Sequence, residues 1–303
     1  MNKIVFFGTG PVASKSLKLL NEFFKIEAVI TKPKPKHHKG DFPVIDVCDE
    51  LNLPIFYVKD RLSLDDLFTT ETFSSQIAIL IDFGIIVSQK VIDYFPLGIV
   101  NSHFSLLPEL RGADPITFAI LSGQRMTGVS LMLIAKKMDE GPLLAQSPFE
   151  INEAMTTPEL TDELIELSYA MLRDVIPLYI REDVILFDQG EDNVFGKSPT
   201  YSRRLIKADS KLDFSKSAEE LAREVRAFNG WPGSKTRIFD VEVTITEAHA
   251  VPSNSKSKPG TTDVNENKSL AIHTNDGDFV IDRLKPAGKK EMDATSFLAG
   301  YNK

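Results

Sequence analysis

With 303 residues, 42% of them apolar and 26% charged, the chain is long enough for two domains of ordinary globular composition. The start, Met1-Asn2-Lys3 running into Ile4-Val5-Phe6-Phe7, lacks a signal-peptide layout, no apolar run reaches the roughly 20 residues of a membrane span, and the single cysteine, Cys48, excludes an internal disulfide or a cysteine metal cluster. A cytoplasmic monomer without metal or membrane partner is expected; the net charge of −8 divides unevenly, −11 up to residue 196 and +3 beyond it, so only the second half carries a basic balance compatible with RNA.

Residues 3–9 read as a buried strand, and Gly8-Thr9-Gly10-Pro11-Val12-Ala13 then opens a helix with apolar positions Val12, Leu17, Leu20 and Phe24. The glycines fit the G-x-G-x-x-A pattern of dinucleotide sites. Such a site wants an acidic residue after the next strand to hold a ribose, and Glu27-Ala28-Val29-Ile30 is followed instead by Thr31-Lys32. Two readings stay open: a nicotinamide site that tolerates a phosphate near Lys32, or a tight strand-to-helix turn. The run from Lys32 to Gly40 alternates lysine with proline before His37-His38, and reads as an extended surface loop, either simply solvated or suited to phosphates. Pro43 to Leu51 reads as a helix, Pro54 to Val58 as a strand, and Ile77 to Ile81 as a buried strand closing on Asp82-Phe83-Gly84.

The stretch from Leu97 to Gln146 carries the chemistry. A turn at Pro96-Leu97-Gly98 leads into Ile99-Val100, which ends abruptly in Asn101, Ser102 and His103. On extended backbone Asn101 and His103 share a face, about 6 to 7 Å apart, at what would be the carboxyl end of a strand, where open α/β sheets bind ligands. A second apolar run, Thr127 to Ile134, closes on Lys136-Lys137-Met138-Asp139-Glu140-Gly141; beside the first strand it would bring Asp139 near His103. An Asn amide N–H, a histidine and a carboxylate suit acyl transfer without a covalent intermediate, and one oxyanion donor is worth about 3 kcal/mol of barrier. An Asn-x-His pair is also found as two satisfied structural polar groups.

Pro115 to Ser122 reads as a helix, as does the stretch from Thr157 through Leu160, Leu164, Leu167, Met171 and Val175, whose apolar stripe is packing. A polar stretch then precedes the helix Ala218 to Phe228, Arg226-Ala227-Phe228-Asn229-Gly230-Trp231-Pro232, and short segments 236–239, 241–245, 270–273 and 279–281, the spacing of a small barrel.

Asn-x-His, then Ser105-Leu106-Leu107-Pro108, then Arg111-Gly112-Ala113-Asp114-Pro115, then Met138-Asp139 resembles the signature of the formyltetrahydrofolate-dependent formyltransferases. The resemblance implies a catalytic trio of Asn101, His103 and Asp139, with 10-formyltetrahydrofolate as co-substrate lying along Ser105, Leu106, Leu107 and Pro108 and its pterin bordered by Ile85, Ile86 and Val87. The segment around Trp231 and Lys285-Pro286-Ala287-Gly288-Lys289-Lys290-Glu291-Met292 resemble the second domain of family members that act on initiator methionyl-tRNA. The implied architecture is a Rossmann-like open α/β sheet domain over 1–187, a linker over 188–206 and an OB-like β-barrel over 207–303. RNA contacts are expected from Lys34, Lys36 and Lys39 of the basic loop and from Lys289 and Lys290. Transfer to an amino-sugar nucleotide is the alternative with the same chemistry; the basic loop and the Phe-Asn-x-Trp-Pro segment favour tRNA.

Overall fold

Strands that are apolar on both faces belong inside a parallel sheet covered by helices, and the early runs of this chain take that place. The computed structural model of the protein describes residues 2–35, 40–190, 198–253, 257–264 and 269–301. In chain order the elements are β1 Lys3–Phe7, α1 Pro11–Phe23, β2 Lys25–Thr31, α2 Pro43–Leu51, β3 Ile55–Tyr57, α3 Arg61–Thr70, β4 Ala78–Leu80, α4 Gln89–Ile92, β5 Ile99–His103, β6 Arg111–Gly112, α5 Pro115–Leu121, β7 Met126–Leu133, β8 Leu143–Glu150, α6 Thr157–Ile180 and β9 Tyr201–Ser202. The second half adds α7 Ala218–Ala227, β10 Ser234–Ile238, β11 Val241–Val251, β12 Thr262–Val264, β13 Leu270–His273, β14 Asp278–Pro286, β15 Met292–Asp293 and α8 Ala294–Tyr301.

Two units emerge from the internal contacts: Met1–Gly112, Met126–Glu150 and Thr161–Ser202 in one, Ala113–Arg125, Ile151–Leu160 and Arg203–Lys303 in the other. The first holds a seven-stranded sheet in the order β3-β2-β1-β4-β5-β7-β8, parallel from β3 to β5 and antiparallel where β7 joins β5 and β8 joins β7. The strand order reverses between β1 and β4, which opens a crevice at their carboxyl ends. Beneath it, Phe7 packs against Phe68, Phe83 and Phe95 with ring centroids 5.3 to 6.2 Å apart. The helices are punctuated from the sequence: Pro11 and Pro43 open α1 and α2, and Asp60 caps α3 by accepting the Ser63 N–H at 2.9 Å. Helix α3 and strand β8 go beyond the sequence expectation.

In the second unit β10-β11-β14-β13-β12 form an antiparallel sheet with β15 on β14. Irregular register around Glu247 bends the eleven-residue β11 against β14, so the sheet curls into a half-barrel around Leu221, Val225, Phe279 and Phe297. The expected combination of an open α/β sheet and an OB-like barrel is therefore what forms, with the barrel left open at its β10 and β12 edges. Among the described residues no helix is long and apolar enough to cross a membrane.

On β2, Glu27 ties the sheet to the segment before β4. Burial would raise its carboxyl, but Ser75 and Ser74 each donate from both backbone and hydroxyl at 2.6 to 3.0 Å, and these bonds hold it at about 2 against an ordinary 4.5. A folded value below the unfolded one stabilises above the ordinary value and is lost as pH falls from 4.5 through about 2. Melting temperature followed from pH 7 to pH 2 is expected to fall less steeply in Glu27→Gln than in the parent; parallel acid limbs contradict this.

Candidate active site

Parity on β5 sorts its side chains. Ser102 faces α6, its hydroxyl 2.7 Å from that of Ser168, so Asn101 and His103 face the other side of the sheet. Both are buried, at 9% and 6% exposure. His103 Nε2–H donates to the Leu110 carbonyl at 3.0 Å, which assigns the proton of the neutral ring to Nε2 and leaves Nδ1 bare. Among the described residues the Asn101 amide takes no hydrogen-bond partner, and its side-chain nitrogen and oxygen are not wholly enclosed.

The chain after His103 is held from behind. Ser130 on β7 donates to the Ser105 carbonyl at 2.6 Å and accepts from the Leu107 N–H at 3.0 Å, while Gln146 on β8 donates to the Leu107 carbonyl at 2.8 Å. Glu109 N–H closes on the Leu106 carbonyl and Thr200 N–H on that of Pro108. All four carbonyls from Ser105 to Pro108 thus have protein donors, and Leu106 and Leu107 are 3% and 0% exposed. This segment, expected along the folate, turns its side chains inward and offers a ligand a wall rather than hydrogen bonds.

The turn that follows the wall bonds to both His103 and Asp139, at positions two residues apart, with no direct bond between the two side chains among the described residues. The Asp139 carboxylate accepts the Gly112 N–H at 2.7 Å, two residues from the carbonyl that holds His103. Arg111, 7% exposed between them, donates from Nε and Nη2 to the Gln189 carbonyl oxygen at 3.2 and 2.9 Å and pairs with Glu140 at 3.4 Å. Gln189 was legible only as part of a polar stretch; no spacing marked it. A buried donor or acceptor left unpaired there costs about 1–3 kcal/mol.

At the β1–β4 crevice, Thr9 N–H and hydroxyl both donate to the Asp82 carbonyl, at 3.0 and 2.8 Å. A Cβ on Gly8 would meet Ala13 at 2.6 Å, and one on Gly10 would meet the Asp82 carboxylate at 1.9 Å. The glycines therefore make room for the chain itself, and a carboxylate already sits at the amino end of α1, where a dinucleotide would need its phosphates. Beyond Asp82, Ile85 and Val87 pack on the core while Ile86 is 68% exposed, an apolar rim that suits a flat heteroaromatic ring.

Of the lysines expected to meet RNA, Lys36 and Lys39 lie outside the described residues. Lys34 is exposed, its ammonium 5.1 Å from the Phe42 ring centroid, and Lys289 and Lys290 are exposed on the turn after β14. The second unit also has an open groove of about 1320 Å³ lined by Lys207, Lys211, Lys235, Arg237 and Lys285. The alternation of exposed Lys235 and Arg237 with buried Ser234 and Ile238 on β10 was the available signal for the groove.

A family model for formyl transferase matches residues 2–176 and one for the formyl transferase C-terminal domain matches 204–302. A Bacillus cytotoxicus protein named methionyl-tRNA formyltransferase is 29% identical over 306 residues, 99% of this chain and 96% of its own length. A Clostridium novyi protein of the same name is 30% identical, over 98% and 96%. The fold is shared with WlaRD, a sugar 3N-formyl transferase, at a TM-score of 0.67 and 22% identity over 96% of this chain and 99% of that one. It is shared also with HypX from Aquifex aeolicus in complex with tetrahydrofolic acid, at 0.63 and 17% over 99% and 47%. With the first model covering more than half of the sequence and the second most of the remainder, the chain belongs to the formyl transferase family.

Proposed function

We propose that the protein transfers the formyl group of 10-formyltetrahydrofolate to the α-amine of methionine esterified to initiator tRNA, giving the formyl-methionyl-tRNA used to start translation. The observation that carries this is the match, through both halves and nearly the full length, to relatives named methionyl-tRNA formyltransferase. We take the protein to work as a cytoplasmic monomer, in keeping with a role in translation and a lone buried thiol, Cys48.

The folate supplies an activated formyl carbon on a leaving nitrogen, and the exposed Ile86 between Ile85 and Val87 fits its flat pterin. The remaining chemistry falls to the chain. The Asn101 amide donates to the formyl oxygen as the carbonyl electron pair moves onto it, without titrating. His103, its Nε2–H committed to Leu110, presents Nδ1 to the same face and becomes a second donor when protonated there. Asp139, anchored on the Gly112 N–H, accepts the proton that the attacking amine loses, directly or through a water. Lys34, Lys289, Lys290 and the lysines of the groove supply point charges for RNA phosphates.

Asn101→Ala and His103→Ala are each expected to lower kcat about 10²- to 10³-fold in a formylation assay with methionylated initiator tRNA, with smaller changes in KM. Turnover within a few-fold of the parent in both would sink the assignment, and transfer to an amino-sugar nucleotide but not to the tRNA would establish the alternative acceptor. Replacing Lys207, Lys211 and Lys285 by alanine is expected to flatten log Kd against log salt by about 0.7 to 0.9 per lost phosphate contact; an unchanged slope would remove the groove from the RNA surface.

A further inference from the structure

We propose that Gln189 is a positioning residue that holds Asp139 in its working geometry, a proposal that rests on the reading of Asp139 as a group at the reacting centre. Asp139 has a φ of +52°. The left-handed region is unfavourable for an L-residue, though less so for Asp than for most, and the bonds around it decide whether it is held. Here the determinants converge on one side chain. The Gln189 amide nitrogen donates to the Asp139 carbonyl at 2.9 Å and to the Gly141 carbonyl at 2.8 Å, and so clamps the turn on either side of Glu140. Its carbonyl oxygen accepts two bonds from Arg111, and the next residue, Gly112, donates the N–H that holds the Asp139 carboxylate at 2.7 Å. One amide therefore governs both the backbone of Asp139 and, through Arg111, the donor to its carboxylate.

The choice of a glutamine follows from the partners. Two carbonyls need a donor and a buried guanidinium needs an acceptor, and a neutral primary amide is the side chain that offers both at once. A carboxylate would satisfy Arg111 and repel the carbonyls; an ammonium would do the reverse. The turn has little freedom to adjust, because a Cβ on Gly141 would stand 1.8 Å from the Leu133 carbonyl at the end of β7. Gln189 is 7% exposed and its bonds run to this turn and to Arg111, which fits a positioning role rather than contact with a substrate.

The test is a double-mutant cycle in the full chain, with kcat and KM measured for both substrates. Gln189→Glu keeps the shape and the acceptor toward Arg111 and removes the donor pair. It is expected to lower kcat about 10- to 100-fold with both KM values within about three-fold, and to cause no more than about two-fold further loss in an Asp139→Ala background. Gln189→Met serves the same cycle should the carboxylate prevent folding. The proposal is overturned by a kcat within two-fold of the parent, by losses that multiply independently of Asp139, or by a lower melting temperature with unchanged kcat per folded molecule. If Asp139→Ala itself leaves turnover intact, the reading of the site fails and takes this proposal with it; if Asp139→Ala cripples turnover and the Gln189 variants do not, the proposal alone fails.

Discussion

The antiparallel pairing of β5 with β7 is the constraint on which the site depends. It sets Asn101 opposite Met132 and His103 opposite Ser130. A slip of one residue would turn the Asn101 and His103 side chains toward α6 and bring Ser102 to their place. The same pairing delivers Ser130 beneath the wall after β5 and lets the end of β7 run directly into the turn that bears Asp139. An antiparallel edge added to a parallel sheet thus gives the face that bears Asn101 and His103 two strand ends that a βαβ crossover would have kept apart.

Much of this was legible in the sequence because it follows from period and punctuation. The two-residue spacing of Asn101 and His103 fixes a shared face whatever the tertiary context, and prolines at the first position of α1 and α2 mark where those helices start. The partners were not legible in the same way. His103 is oriented by a main-chain carbonyl, that of Leu110, and a carbonyl leaves no trace in composition. Gln189 lay inside a stretch that reads as linker, yet Phe187 pairs with Leu143 and Thr200 with Arg111, so both ends of that stretch are bonded into the first unit. Helix α3 escaped notice because only Leu64 and Phe68 of its residues are buried, too few for a clear stripe.

The glycine-rich turn after β1 shows why a motif needs its surroundings. Gly8-Thr9-Gly10 matches a phosphate-binding pattern in letters alone. In space the first glycine admits Ala13 close to the strand, and the second admits the Asp82 carboxylate from the segment after β4. The positive end of α1 is met by the protein's own anion, which satisfies the helix and discourages another. Asp82, which in the sequence only closes the strand Ile77 to Ile81, supplies the carboxylate that sets this turn apart from a nucleotide cradle.

The bond from His103 to Leu110 also bears on what will bind. With Nε2–H engaged, a neutral ring has only the Nδ1 lone pair left to offer, while a charged ring has only a proton there. A ligand group that meets that nitrogen therefore finds an acceptor in one ring form and a donor in the other. An inhibitor that carries a hydroxyl at that position, able to donate or accept, would suit both forms of the ring, whereas a purely accepting group would suit only one.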